Sequence, residues 1–455
     1  MLLALLLACA PVAPQPAASG VTYLVPVASF QDSDGDGVGD LVGVRSRIDH
    51  LVNLGVQSLQ LMPLEPGCDP GRLLPCGEGL DPALGDPQDL AALAEALHAH
   101  GIRLEVQIPM DAVGLAHPWV NAARHGEGRI QIARRPAAGW FPFGRGLYYY
   151  APEDIGAPEL DWDERSLVAD RLRALAVWTS VDGLVLRPFA SEGARTSLDI
   201  AIDLLHAVEG RVSMTTTPTD PGALVAWAAL GPVVDHPRAT AYASAAVDQD
   251  FSDLRQVLAD WGDAVDRTRP FLGDGDGPRL ATRVANAVLR RTLLTIHLLG
   301  PGAPTLYYGE ELDLPDATTL PVDEPWRAPM PWDRGPACGF TRGEPWFQPD
   351  PACKVGWNVA DEEVDPESML HHVRWLAAVR AAWAGAHAID LDTGLADVLA
   401  FQTGQLCVVG SASEVERAMI LEGCEGVDLR TGEQVYGDVE VEPRGWRVIK
   451  RGRPE

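Results

Sequence analysis

Three things are scarce in this chain, and each scarcity argues against a class of protein. Basic residues are few: 36 lysines and arginines stand against 64 aspartates and glutamates, a formal net charge of −28 at neutral pH. Such a surface repels phosphate, which argues against nucleic acid and anionic lipid head groups as partners and suits neutral ligands. Long apolar runs are missing beyond the first residues, so no later segment has the length that a membrane span needs. Cysteines number seven and form neither a Cys-x-x-Cys pair nor a Cys/His cluster, so nothing suggests zinc. No internal repeat or low-complexity tract follows the opening segment.

What is present begins with a large apolar fraction, 46% of 455 residues, enough for a large core and an appended domain. Residues 1–20, MLLALLLACAPVAPQPAASG, carry a short apolar run ending in Leu6-Leu7-Ala8-Cys9. This reads as a lipobox, with a lipid anchor at Cys9, or as an ordinary secretory signal, followed by a Pro/Ala-rich tether. Both imply export, as a membrane-anchored bacterial lipoprotein or as a secreted or periplasmic protein. With Cys9 set aside, six cysteines fall in near-neighbour pairs: Cys68 with Cys76, Cys338 with Cys353, and Cys407 with Cys424. Local pairing is the simplest of several connectivities, and it fits an oxidising compartment.

Residues 31–43, QDSDGDGVGDLVG, have the pattern of a calcium loop. Asp32, Asp34 and Asp36 alternate with small residues, so their side-chain oxygens can turn toward one point. Val38 adds a backbone carbonyl and Asp40 another carboxylate, which makes an all-oxygen shell suited to Ca2+. An EF-hand needs a bidentate Glu where Gly43 stands, so this is a loop of another type. A solvated Asp/Gly turn is the plainer alternative.

Strand-like and helix-like segments alternate along most of the chain. Strands are expected at Val21–Val27, Val56–Met62, Ile102–Ile108, Asp182–Leu186, Val212–Thr215, Arg269–Leu272 and Thr305–Tyr308. Helices are expected at Val44–Leu54, from Pro87 to before Gly101, and at Leu167–Trp178, Thr196–Val208, Asp253–Val265 and Thr282–Leu298. Repeated βα units predict a parallel sheet, most economically closed as a (β/α)8 TIM barrel built from residues 21–112 and 157–385. Residues 113–156 interrupt it as a small inserted domain with an aromatic end, GWFPFGRGLYYY (139–150). Residues 386–455 give short alternating runs consistent with a C-terminal β-sandwich. The pair His371-His372 reads as a solvated or packed helical pair rather than a metal site.

Six segments carry a family resemblance: VTYLVPVASF before the acidic loop, LVGVRSRIDHLVNLGVQSLQLMPLEP after it, LDPALGDPQDLAALAEALHAHGIRLEV (80–106), PELDWDERSLVADRL (158–172), PGAPTLYYGEEL (301–312) and RAPMPWDRGPACGFTRGEPWF (327–347). Together they resemble the α-amylase superfamily, glycoside hydrolase family 13, near its oligo-1,6-glucosidase and trehalose synthase branch. The likeness runs from about Val21 to Arg380 and into the C-terminal module. It implies the barrel, the inserted B domain and the metal loop. It also implies retaining chemistry on α-glucosides by an Asp nucleophile, a Glu general acid and a second Asp that steadies the transition state.

Carried over residue by residue, that chemistry is missing. The nucleophile segment, Asp-Gly-Phe-Arg-x-Asp in the family, reads Asp182-Gly183-Leu184-Val185-Leu186-Arg187 here, so an arginine stands at the nucleophile position. A guanidinium stays charged and forms no glycosyl ester. The general-acid position falls on Thr215, whose hydroxyl is too weak an acid. The transition-state position keeps Asp276, with Asp274 nearby, but the adjoining His is Gly275. On the third strand, Gln107-Ile108-Pro109-Met110-Asp111-Ala112 loses the sugar-binding His, and the stacking Tyr expected after strand two is absent from GCDPGRLLPCGEG. Asp111, His117, Trp119 and Arg279 are the candidate substrate contacts, and Glu310-Glu311 match a scaffold position.

Scaffold motifs hold while sugar-touching positions change. The leading expectation is therefore a catalytically inactive, exported homologue that binds an α-glucan or a small α-glucoside. Two alternatives stand beside it. One is an active hydrolase or transglycosylase with relocated carboxylates, drawn from Asp111, Glu192, Asp274 and Asp276. The other is a non-catalytic subunit of a membrane protein complex, similar to the inactive family members that serve amino-acid transporters, its partner unidentified.

Overall fold

A computed structural model describes residues 20–452 apart from 69–73, 110–111, 135–137, 145–146, 152–157, 159, 162–179, 187–211, 216–233, 238–249, 262–267, 274, 276, 319–323 and 386. The expected helices Leu167–Trp178 and Thr196–Val208 lie outside the described residues. In chain order the strands are β1 (Thr22–Val25), β2 (Ser58–Leu61) and β3 (Arg103–Ile108), then β4 (Ile132–Ala133), β5 (Trp140–Gly144) and β6 (Leu147–Tyr150). Next come β7 (Gly183–Leu186), β8 (Val212–Thr215), β9 (Val234–Pro237), β10 (Thr268–Phe271) and β11 (Thr305–Tyr307). Strands β1, β2, β3, β7, β8, β9, β10 and β11 close into one parallel barrel, and β4, β6 and β5 form a separate antiparallel sheet inside the insertion.

Local chemistry sets the helix ends. Asp86 accepts hydrogen bonds from the amides of Gln88 and Asp89, and the Asp89 carboxylate accepts one from the Asp86 amide, so the helix Pro87–His98 starts where its capping pair predicts. Its buried face is Leu90, Leu93, Ala94 and Leu97. Two expected helices are each broken in two. Leu41–Ser46 is followed by Ile48–Leu54 because Asp40 caps the first through the Gly43 amide at 2.7 Å and Arg47 leaves helical geometry. Leu280–Arg283 is separated from Ala287–Leu299, which Asn286 caps through the Leu289 amide at 2.9 Å.

Polar groups occupy part of the barrel interior, where branched apolar layers are usual. Alternation on β2, β3 and β10 turns Gln60, Glu105 and Arg269 inward. Arg269 Nη1 lies 2.5 Å from Glu105 Oε2 and 2.9 Å from Gln60 Oε1, and all three residues are buried. Gly183 is the ladder partner of Glu105, and a Cβ there would come within 3.2 Å of Glu105 Cγ. Glycine at 183 leaves room for this charged pair.

The C-terminal module contains β12 (Ile389–Leu391), β13 (Val398–Thr403), β14 (Leu406–Ser411), β15 (Arg417–Asp428), β16 (Gln434–Val441) and β17 (Trp446–Arg451). They form one continuous antiparallel sheet, ordered β12-β13-β14-β17-β15-β16. The expected sandwich is thus a single sheet folded on itself. Its ladder breaks between Ile420 and Glu425, and beyond the break Leu421, Val439 and Val441 cover Val398, Ala400, Val409 and Ile449. Phe401, Leu406, Val408 and Trp446 face the other way, into the main core. His372 sits at that junction, with Thr295 Oγ1 3.1 Å from its Nε2 and its ring against Trp375 and Trp446. Burial pushes this imidazole down to about 3, with Arg291 adding to the effect, so it is a neutral packing residue.

Three disulfides join Cys68–Cys76, Cys338–Cys353 and Cys407–Cys424, as local pairing predicts. Among the described residues no helix is long and apolar enough to cross a membrane.

Candidate functional site

Loops at the carboxyl ends of barrel strands are where this architecture assembles chemistry. Arg187 follows β7 in sequence, two positions beyond the inward-facing Val185, and Thr215 is the last residue of β8. The ladder pairs Leu186 with Met214, so the next residue on either side is Arg187 or Thr215. Arg187, Asp111, Glu192, Asp274 and Asp276 themselves lie outside the described residues.

The loop after β10 is held at Gly275. Its carbonyl accepts hydrogen bonds from Trp326 Nε1 and Arg327 Nε, both at 2.7 Å. Its φ is +79°, and a Cβ there would lie 2.6 Å from Met62 Cε and 3.1 Å from Tyr307 Oη. A side chain at this position, which carries a sugar-binding His in the resembled motif, would strain the left-handed backbone and require the Met62 end to shift. Gln107, on the third strand, is buried with its Oε1 lacking a hydrogen-bond partner.

His117, Trp119 and Arg279 make scaffold contacts among the described residues. His117 Nδ1 accepts from the Trp119 amide at 3.2 Å, capping the helix Pro118–Ala123, and the two rings pack edge-to-face at 4.8 Å. Arg279 is only 1% exposed and donates to the Tyr308 carbonyl, its guanidinium 4.8 and 4.6 Å from the rings of Tyr307 and Tyr308.

Glu310 and Glu311, just past β11, divide sharply. Glu311 accepts from Tyr23 Oη at 2.6 Å and the Gly309 amide at 2.8 Å, with His50 Nε2 at 3.1 Å. Glu310 accepts from the Tyr307 amide through Oε2, but its buried Oε1 has no partner and approaches Gly273. Burial pushes the Glu310 carboxyl up to about 8, against the opposing pull of the Tyr307 amide, Arg283 and Arg279. The motif in the sequence locates this residue but does not reveal its missing partner.

That shift has a measurable consequence. Between its ordinary value of 4.5 and about 8, Glu310 holds a proton that the unfolded chain does not. Its contribution to stability is complete below 4.5 and is lost as pH rises through 8. Burial raises Glu362 to about 7 in the same sense. Thermal unfolding should therefore show stability falling from pH 5 to 8, less steeply in Glu310→Gln. Equal slopes in the two proteins would contradict the assignment.

In the acidic loop, Asp32, Asp34 and Asp40 bring carboxylate oxygens within 4.8 Å of one another. Asp36 stays outside that group, exposed, its Oδ1 accepting from the Val38 amide at 2.7 Å. Asp32 accepts from the amides of Asp34, Gly35 and Gly37 and from Thr341 Oγ1. Burial works to raise its pKa, yet these hydrogen bonds prevail and lower it. The three converging carboxylates fit a hard cation, as residues of the expected calcium set.

The alpha-amylase catalytic-domain model matches residues 24–142 and 227–385. This chain belongs to the alpha-amylase family. Its match to the family model omits 143–226, the stretch containing β7 and β8, with Arg187 and Thr215. A probable oligo-1,6-glucosidase 2 of Bacillus subtilis is 22% identical over 85% of this chain and 87% of its own length. The trehalose synthase/amylase TreS of Mycolicibacterium smegmatis is 24% identical over 79% and 75%. The crystal structure of the trehalulose synthase MutB from Pseudomonas mesoacidophila MX-45 superimposes with a TM-score of 0.79 at 19% identity, covering 95% of this chain and 98% of that one. At that identity the likeness shows the fold.

Proposed function

We propose that this alpha-amylase family member is an exported, catalytically silent protein that binds α-glucans or small α-glucosides. One observation carries the reading: the fourth and fifth barrel strands run into Arg187 and Thr215, where the family chemistry needs an attacking carboxylate and a carboxylic acid. The backbone at Gly275 supports it, since its φ of +79° disfavours the His that the family motif places there. Export rests on the opening Leu6–Cys9 run, as a leader or a lipid anchor at Cys9, and the three disulfides agree with an oxidising compartment. The purified protein should be retained on maltodextrin resin and release no product from maltose, maltooligosaccharides, sucrose or aryl α-glucosides. Turnover that disappears in Asp276→Ala would overturn silence, and failure to be retained would overturn glycan binding.

Calcium is part of the proposal, held through Asp32, Asp34 and Asp40 and the Val38 carbonyl, with Asp36 joining only once its side chain turns from the Val38 amide. A chelator should lower the thermal midpoint, added Ca2+ should restore it, and Asp32→Asn should be insensitive to both. A chelator with no effect on the unaltered protein would remove calcium from the account.

Glu310 favours a second reading. A buried carboxyl kept neutral near pH 7 is what a general acid needs, so relocated chemistry would depend on it. Any turnover surviving Asp276→Ala but lost in Glu310→Gln would establish that reading.

A further inference from the structure

The small sheet of the insertion has two unlike faces. Pairing sets Trp140 opposite Tyr150, Phe141 opposite Tyr149, and Pro142 opposite Tyr148. Side chains alternate across a strand, so Ile132, Phe141, Leu147 and Tyr149 share one face. All four pack on the main core. The other face carries Trp140, Pro142, Tyr148 and Tyr150, and none of these belongs to that core. Tyr150 is covered and lies 5.2 Å from the Trp140 ring, while Trp140 and Tyr148 are part-exposed and Pro142 is exposed. The insertion leaves the barrel from the carboxyl end of β3, on the side where substrates of such barrels enter.

We infer that this second face, resting on the glycan-binding reading above, is where a neutral α-glucan docks, with Trp140 and Tyr148 stacking on consecutive hexose rings. The dimensions suit a sugar: residues two apart on a strand are separated by about 7 Å and adjacent strands by about 5 Å, the scale of one or two pyranose rings. The apolar C–H face of a hexose matches an aromatic ring, and the phenol of Tyr148 adds a hydrogen-bonding edge. Other occupants fit worse. A stable protein interface needs about 800 Å² per partner, far more than two part-covered rings and a proline offer. Nucleobases would bring phosphates toward a chain of charge −28. The strip itself carries no charge, so a neutral polymer loses nothing by approaching it.

Calorimetric titration of the full chain with maltoheptaose tests this. The unaltered protein should bind, Trp140→Ala and Tyr148→Ala should each weaken binding about tenfold, and Trp140→Phe should stay within about threefold. Binding equal to the unaltered protein in both alanine variants would overturn this face while leaving the glycan-binding reading intact. No binding by the unaltered protein would overturn both. Should Trp140→Ala fail to fold, Tyr148→Ala decides the matter alone, with its thermal midpoint as the control.

Discussion

Arg269→Met, with Glu105 left in place, should destabilise the folded protein by about 3–5 kcal/mol, because it leaves a buried carboxylate with only the longer 3.8 Å contact to Arg103. Glu105→Leu alone should also destabilise, by removing the carboxylate that compensates a buried guanidinium. The double variant should recover most of the loss, or exceed the unaltered protein, since a well-packed apolar pair pays no desolvation. The argument rests on geometry: two contacts from Arg269 to Glu105 at 2.5 and 3.2 Å, one to Gln60 at 2.9 Å, and almost no solvent around either charge. Denaturant unfolding of the four proteins gives the coupling directly. Additive single losses, with no recovery in the double variant, would mean the two charges do not depend on each other.

The second large effect is an absence of turnover that one substitution does not repair. Family enzymes pass through a cation-like transition state, and a guanidinium about 4 Å from such a charge opposes it by about 4 kcal/mol at an effective dielectric of 20. Arg187→Asp would remove that opposition and add a nucleophile. We expect the variant still to leave aryl α-glucosides intact at background rates. On the proposed alignment Thr215 supplies no acid, and Gly275 carries no imidazole and sits in a left-handed conformation that a histidine would strain. Initial-rate assays of the two proteins check this. A rate that returns on Arg187→Asp alone would confine the loss to one residue and leave the rest of the pocket competent.

Much of the fold was legible in the sequence because its signals are local. Asp86-Pro87 announces a helix start through a capping geometry that needs only neighbouring residues, and the structure reproduces it. The cysteine spacing pointed to the same three bridges. The helix breaks at Arg47 and at Val284–Asn286 were missed, since apolar periodicity continues across both; Arg47 leaves helical geometry without a side-chain cap, and Asn286 caps the helix after the second break. The folded sheet of the C-terminal module was legible as alternating strands but not as one sheet, because its bend depends on contacts between distant strands.

The site divided differently. Motif positions point to Arg187, Thr215 and Gly275; the left-handed φ of Gly275 and its contact with Met62, just past β2, were not legible, because Met62 lies far away in sequence. His117 also caps a helix through the Trp119 amide, a role that spacing alone did not reveal. Glu105 and Arg269 escaped notice because they lie far apart in sequence and each alone reads as a surface residue. Gln107 and Glu310 were visible as residues; their unpartnered oxygens were not.

Fluoride release from α-glucosyl fluoride is the most direct measurement of silence. Its leaving group needs little protonation, so the assay bypasses Thr215 and asks only whether any carboxylate attacks or assists at the sugar. The protein, calcium-loaded and at high concentration, should release fluoride no faster than buffer. Release above that rate, abolished by Asp276→Ala or by Glu310→Gln, would contradict the account and make this family member an enzyme.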